Sequence, residues 1–100
     1  MIAAMKVELL YFDGCPNWKA MADQLDRLAT ELNFTWTSVQ VETPQAALDL
    51  EFHGSPSLHV NGVDPFATPN APVGLTCRVY QTATGPSGTP DDDAVRRALR

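Results

Sequence analysis

Two different hydrophobic periods open the chain. Residues 7–12 are apolar except for Glu8, a pattern typical of a central strand that is covered on both faces. Over residues 17–33 the apolar positions recur every three or four residues instead, as they do along the buried face of an α-helix. The pattern therefore predicts a first strand over residues 6–12 and a first helix over residues 17–33. The predicted core positions of this helix are Trp18, Met21, Ala22, Leu25, Leu28, Ala29 and Leu32.

Shorter elements follow the first helix. Residues 34–42 are rich in threonine, valine and aromatic side chains, which favours a second strand. Thr43 followed by Pro44 is a typical helix start, with a capping side chain and then a proline in the first turn. We expect this second helix to run to about Phe52 and to use Gly54 as its C-terminal glycine.

The last part of the chain alternates short apolar runs with proline- and glycine-rich segments. Residues 55–60 read as a loop that leads into a third strand, with Pro56 at the edge where the strand begins, and residues 77–82 read as a fourth strand. Residues 63–76 and 83–89 read as loops. A final helix is predicted over residues 90–99, because its aspartates lie at the start and its arginines at the end, where each complements the helix dipole.

The predicted order of elements is β-α-β-α-β-β-α in a single domain that spans residues 1–100. A helical crossover joins the first two strands, so these should be parallel, whereas the last two strands should form an antiparallel pair. We therefore expect an α/β fold with a four-stranded mixed sheet and helices on both of its faces.

Length, charge and composition exclude several classes of function. The chain has 100 residues, 44% of them hydrophobic, and a net charge of −5, which is typical of a folded and mildly acidic domain. Positive charge is nowhere concentrated enough to bind nucleic acid or an anionic membrane, and no apolar run approaches the roughly 18 residues of a membrane-spanning helix. The first five residues lack the length and order of a secretory signal. We expect a cytoplasmic protein without a cofactor.

Cys15 stands at the junction between the first strand and the first helix. Asp13 and Gly14 form a turn signal before it, and Pro16 follows where the first helical residue should lie. The free N–H groups and the positive end of the helix dipole favour a thiolate at this position. The alternative is a small apolar residue that fills a tight turn. We interpret Cys15 as a reactive thiol because the turn, the proline and the helix agree.

Three sequence features together resemble the thioredoxin fold family over nearly the whole chain. A cysteine lies in the strand-to-helix turn, a Gly-Ser-Pro-Ser segment opens the third strand as the cis-proline loop does in that family, and a glycine-containing loop precedes the last helix. These segments are Gly14-Cys15-Pro16-Asn17-Trp18, Gly54-Ser55-Pro56-Ser57 and Gly85-Pro86-Ser87-Gly88.

The resemblance implies a substrate groove around Cys15. It places a cis Pro56 next to Cys15, as the two catalytic positions, with the N–H and C=O of Ser55 available to an extended thiol-bearing ligand. Gly14, Pro16 and Trp18 would help to form the substrate site. The partner implied is a thiol or disulfide, either of a protein or of a small molecule.

The motif departs from the dithiol members of that family at Trp18. They carry a second cysteine there, so the familiar local disulfide cannot form in this chain. The motif is closer to monothiol Cys-Pro-x-Trp variants, which implies thiol–disulfide exchange with Cys15 as the nucleophile. Trp18 is also the first position of the helix core face, and we interpret it as a packing residue.

Cys77 is the second thiol and its role stays open. If it begins the fourth strand, the two cysteines lie about 15 Å apart at opposite ends of the sheet, whereas a disulfide needs Cα atoms within about 7 Å. Residues 63–76 would have to fold back over Cys15 to bring Cys77 near as a resolving thiol. We interpret Cys77 as a buried strand cysteine, and in the cytoplasm we expect the two cysteines to be free, catalytic or metal-linked rather than part of a disulfide scaffold.

Two other functions compete with redox exchange. Two thiolates can hold a soft metal ion such as zinc, copper or mercury, although the chain has no Cys-x-x-Cys spacing. The isolated His53 and His59 are interpreted as structural rather than as ligands. The second alternative is a non-catalytic binding module that keeps only the thioredoxin fold.

Overall fold

A computed structural model describes residues 5–99 of the chain, and in this range the chain forms an α/β fold. The α/β class expected from the sequence is therefore confirmed. None of the helices in the described range is long and apolar enough to cross a membrane, and the prediction about the chain's first residues rests largely on residues 1–4, outside that range. In chain order the elements are β1 (Val7–Tyr11), α1 (Trp18–Leu32), β2 (Trp36–Gln40), α2 (Pro44–Asp49), β3 (Ser57–Val60), β4 (Tyr80–Thr82), β5 (Gly85–Ser87) and α3 (Asp92–Ala98).

The main sheet has three strands in the order β2-β1-β3. β1 is the central strand and runs parallel to β2, with Leu9 opposite Ser38, and antiparallel to β3, with Leu9 opposite Leu58. The predictions that the first strand is central and that the first two strands are parallel are both confirmed. The sheet ends at β3, and the predicted four-stranded sheet is wrong.

The predicted fourth strand forms a separate hairpin instead. β4 pairs with β5 and with neither β1 nor β3, and Tyr80 lies opposite Ser87. β4 begins three residues later than predicted, and β5 falls inside the predicted loop over residues 83–89. The physical reason is that Cys77 pairs with Ser55 in an isolated parallel bridge, which diverts the chain before β4 begins. The sequence did not predict β5 because Pro86 is typical of a loop, although proline is tolerated in a short edge strand.

Alternate residues of β1 point into two different parts of the core. Val7 and Leu9 contact α1 and α3 on one face of the sheet, and Leu10 contacts the α2 side on the other. Helices therefore cover both faces, as predicted. The first cluster comprises Val7, Leu9, Met21, Leu25, Leu28, Leu58, Tyr80, Val95 and Leu99, and the second Leu10, Val41, Ala47 and Phe52.

The observed helix ends refine the predicted ones. α1 lies within one residue of its prediction, although Leu32 in the last turn is 38% exposed rather than part of the core. Thr43 caps α2 by accepting the N–H of Ala46, which confirms the predicted start. α2 ends at Asp49 rather than at Phe52, and the residue with left-handed backbone after it is Glu51 (φ 52°), so assigning Gly54 to the helix end was wrong.

Candidate functional site

Cys15 and Cys77 form a disulfide in this structure. Their Cα atoms are 5.7 Å apart and 62 residues separate them in the sequence. The expected separation of about 15 Å is therefore wrong, and Cys77 is exposed rather than buried. Cys77 lies before β4, in an irregular segment, because the loop over residues 63–76 folds back towards Cys15. This is the arrangement that the strand assignment had disfavoured.

The turn after β1 sets the position of Cys15. The Cys15 N–H donates to the carbonyl of Phe12 at 3.3 Å, which closes the turn. A Cβ atom on Gly14 would lie 2.7 Å from the Phe12 ring, so only glycine fits there without displacing that ring. Pro16 accepts a hydrogen bond from the Lys19 N–H at 3.2 Å, and a first helical turn thus begins directly after Cys15. The helix proper starts two residues later than the proline position that the sequence suggested.

The Ser55–Pro56 peptide bond is cis, as the resemblance implied. Ser55 is fully buried, and its hydroxyl accepts the N–H of Phe12 at 3.3 Å, which ties the proline loop to the end of β1. The sulfur of Cys15 lies 3.5 Å from the Ser55 carbonyl oxygen. The structure therefore brings Cys15, Ser55 and Pro56 together, as predicted.

The backbone of Ser55 is already occupied by the chain itself. Its N–H donates to Thr76 O at 2.7 Å, and its carbonyl accepts the N–H of Arg78 at 2.9 Å. The expectation that these two groups are available to a ligand is thus wrong for this disulfide-bonded form. Gly54 (φ +110°) permits the approach, because a Cβ atom there would lie 3.1 Å from the Cβ of Arg78 and 3.2 Å from Thr76 O.

Arg78 holds this segment against the proline loop with its side chain as well. Its guanidinium lies 2.6 Å from the Asp64 carboxylate, with the two side chains 10% and 5% exposed, and it donates to the Ser57 hydroxyl at 3.0 Å. It also lies over the Tyr80 ring, 4.8 Å from the centroid. Burial raises the pKa of the Tyr80 hydroxyl, so that this group stays protonated. The hydroxyl donates a hydrogen bond to the carbonyl of Pro56.

Sequence reasoning missed Asp64 and Arg78. Both lie in or beside the irregular segment over residues 63–79, where no hydrophobic period fixes a partner. The one available signal was an arginine directly after a cysteine, which by itself does not predict a contact with a residue 14 positions away.

The two cysteines of the disulfide differ in their exposure to solvent. Cys15 is 0% exposed, whereas Cys77 is an exposed residue. Because the sulfur of Cys15 is closed off, an external thiolate would have to approach the bond from the side of Cys77. If the bond opens from the side of Cys77, the leaving sulfur belongs to Cys15, which lies three residues before the start of α1, and Asn17 rather than Cys15 is the residue at the N-cap.

The aromatic residues beside the site serve packing. Trp18 is half-buried, stacks on Tyr11 with ring centroids 4.3 Å apart, and packs against the first core cluster. The Lys19 ammonium lies 5.8 Å from the same indole ring. These contacts agree with the interpretation of Trp18 as a core residue, and they leave Gly14 and Pro16 as the exposed part of the motif.

The two histidines lie apart from the cysteines' bond. His59 in β3 is 6% exposed and its Nε2 has no hydrogen-bond partner among the described residues. Burial lowers the pKa of His59, against the opposing effect of the Asp64 and Glu8 carboxylates. The Nδ1 atom of His53 lies 3.1 Å from the carbonyl of Pro72. Within residues 5–99, no three histidine, cysteine or acidic side chains come together as a metal site.

The site thus consists of a disulfide between one exposed and one buried cysteine, a cis-proline loop, and a chain segment that pairs with that loop. The residues it brings together are Cys15, Cys77, Ser55, Pro56, Asp64 and Arg78. No protein-family model matches this chain, and no match was found among curated proteins.

Proposed function

We propose that this protein is a thiol–disulfide oxidoreductase that cycles between the Cys15–Cys77 disulfide and the dithiol. The observation that carries the proposal is the unequal exposure of the two disulfide-bonded residues, since Cys77 is exposed and Cys15 is fully buried. A reversible exchange needs one sulfur that a substrate can reach and a second one, held within bonding distance, that releases the substrate. Cys77 and Cys15 meet these two requirements.

Each step of the exchange is a displacement at sulfur. A substrate thiolate attacks Cys77, the bond to Cys15 breaks, and Cys15 leaves with the electron pair as a thiolate. A second substrate thiolate then attacks the substrate sulfur of the mixed disulfide and releases the Cys77 thiolate. Two substrate thiols become one disulfide, and the protein takes up two electrons and, on protonation, two protons. In the reverse direction Cys77 attacks a substrate disulfide and Cys15 resolves the mixed disulfide.

This mechanism departs from the monothiol hypothesis, in which Cys15 alone attacks the substrate, because Cys15 is fully buried in the disulfide-bonded form. Cys15 remains a nucleophile, but it attacks the mixed disulfide on Cys77 rather than the incoming substrate. The resemblance to the thioredoxin fold family supports the proposal through the cysteine beside a cis Pro56. We propose a cytoplasmic location as well, where disulfides are usually transient and catalytic. The substrate is a thiol or disulfide of a protein or of a small molecule.

Single cysteine variants separate the two roles. Cys15→Ser leaves the exposed thiol, and we expect it to form a mixed disulfide with oxidised glutathione, seen by mass spectrometry as one added glutathione. Cys77→Ser leaves the buried thiol, and we expect it to react at least about tenfold more slowly. Faster modification of Cys77→Ser than of Cys15→Ser would reverse the assignment of the roles.

Turnover is measured as the reduction of insulin disulfides by dithiothreitol. The wild-type protein should accelerate this reaction, and either single variant should lose the acceleration, because the mechanism uses both sulfurs. Full activity of Cys77→Ser would support the monothiol mechanism at Cys15 instead. A wild-type rate equal to that of the double Cys→Ser variant would mean that the protein is a non-catalytic binding module.

Soft-metal binding is a second candidate, favoured by the Cα separation of 5.7 Å between the two cysteines. Once reduced, a pair of facing thiolates can hold a cation that accepts two sulfur ligands, such as Cu(I) or Hg(II). Titration of the reduced protein with Hg(II) should give one ion per chain and should require both cysteines. Equal binding by the wild-type protein and by either single variant would exclude a shared site.

A further inference from the structure

Cys77 lies between two residues that are each anchored to the proline loop. Thr76 accepts the N–H of Ser55 at 2.7 Å, and the N–H of Arg78 donates to the Ser55 carbonyl at 2.9 Å. The Arg78 side chain then reaches Asp64 and the Ser57 hydroxyl, at 2.6 Å and 3.0 Å. The position of Cys77 is therefore fixed from both sides by contacts that do not involve its sulfur.

The Asp64–Arg78 pair is the strongest of these anchors. The side chains of both residues are at least nine-tenths buried, and Asp64 also accepts the N–H of Phe66 at 2.9 Å. Removing one partner would leave the other charge buried without compensation, so the two side chains stay together as long as the segment is docked. Because Arg78 directly follows Cys77 in the chain, holding the guanidinium also holds the cysteine.

We propose that Arg78 and Asp64 are positioning residues that keep Cys77 over Cys15 and so make the disulfide harder to reduce. This inference rests on the proposed function and concerns the same site. Reduction by two glutathione thiols transfers two electrons and two protons to the protein, breaks the Cys15–Cys77 bond, and forms one glutathione disulfide. In the dithiol, a segment that stays docked loses little freedom when the bond re-forms, which favours the disulfide.

An electrostatic role of Arg78 would have a different signature. A guanidinium that stabilised the Cys77 thiolate would make the disulfide easier to reduce, so its removal would make reduction harder. Arg78→Met removes a positive charge and Asp64→Asn removes a negative one, so an electrostatic role predicts opposite shifts for the two variants. Positioning predicts that both variants shift towards the dithiol, because both weaken the same contact.

The experiment equilibrates each protein with glutathione buffers and counts dithiol and disulfide by mass spectrometry after alkylation. We expect Arg78→Met and Asp64→Asn each to move the equilibrium about tenfold towards the dithiol, a change of about 30 mV in reduction potential. The size of the change reflects the conformational entropy that about one residue gains when the docking contact is lost. Arg78→Lys should restore part of the wild-type value, because it keeps the charge but not the paired hydrogen bonds. Opposite shifts for the first two variants, or none, would overturn the proposal.

Two further variants serve as controls, one for a non-local effect of losing an ion pair and one for unfolding caused by an unpaired buried charge. Arg27 forms an exposed ion pair with Asp92 at 3.0 Å, far along α1 from the cysteines, so Arg27→Met should leave the equilibrium unchanged. A shift of equal size in this control would contradict a local role of Arg78. The combined variant Asp64→Leu with Arg78→Met leaves no unpaired charge to unfold the protein, and it should still favour the dithiol.

The equilibrium is measured without turnover, so this inference and the proposed function can fail separately. A protein that fails to accelerate insulin reduction but shows the expected shifts would keep the positioning role and lose the oxidoreductase function. Normal acceleration with an unchanged equilibrium in both charge variants would do the reverse.

Discussion

Reducing the disulfide should lower the stability of the protein by about 4 kcal/mol. The bond links residues 62 positions apart, so the enclosed ring contains α1, β2, α2 and β3. In the chain-entropy account, cross-linking a ring of this size restricts the unfolded chain by about 4 kcal/mol at 25 °C. The folded contacts change little on reduction, because Cys15 stays buried and the two hydrogen bonds to Ser55 do not need the sulfur. The loss therefore comes from the unfolded state.

Urea denaturation of the oxidised and the reduced protein measures this difference. With a slope of about 2 kcal/mol per molar urea, the midpoint of the reduced protein should fall by about 2 M. The oxidised protein should also show a shallower slope, because its cross-linked unfolded chain exposes less surface. Cys77→Ser serves as the control: it should match the reduced wild type and should not respond to added reductant. Equal midpoints for oxidised and reduced protein would refute the reasoning.

Two further variants test other parts of the structure. Gly54→Ala should destabilise the protein by more than Gly85→Ala, measured by urea denaturation, because the backbone angles are alike (φ +110° and +115°) but only Gly54 lies against Arg78 and Thr76; equal losses would mean that backbone strain alone matters. His59 should make the protein less stable as the pH falls below about 6.5, because burial lowers the pKa of the folded imidazole and the unfolded chain then binds more protons. The loss is at most about 1.4 kcal/mol per pH unit, and His59→Asn should remove it; an unchanged pH dependence in that variant would contradict this origin.

The sequence was most informative where local patterns and tertiary packing agree. The three-to-four spacing from Trp18 predicted α1 to within one residue, and the apolar run before Cys15 predicted a central β1. The neighbourhood of Cys15 and a cis Pro56 followed from a family resemblance rather than from periodicity. Each of these features depends on residues that are close in the chain or on a short motif.

The sequence was least informative where a single long-range contact decides the outcome. The short apolar run over residues 77–82 predicts a strand that begins at Cys77, yet the backbone groups of its neighbours Thr76 and Arg78 bond to Ser55 instead. The loop before it carries no period, so nothing in it indicated that Asp64 meets Arg78. The backbone pairing of Cys77 with Ser55 explains the missing fourth strand of the sheet, since a segment docked on the proline loop cannot continue along β3.

The pairing of Ser55 with the chain's own backbone means that a peptide ligand would have to compete for the N–H and C=O of Ser55. A peptide that used the same N–H and C=O would have to displace a segment that is covalently tethered and cannot diffuse away. The tethered segment competes like a free ligand present at roughly millimolar concentration or more. A peptide that binds Ser55 no more tightly than this segment does would have to exceed that concentration to displace it, whereas a small thiol that attacks Cys77 need not displace the segment.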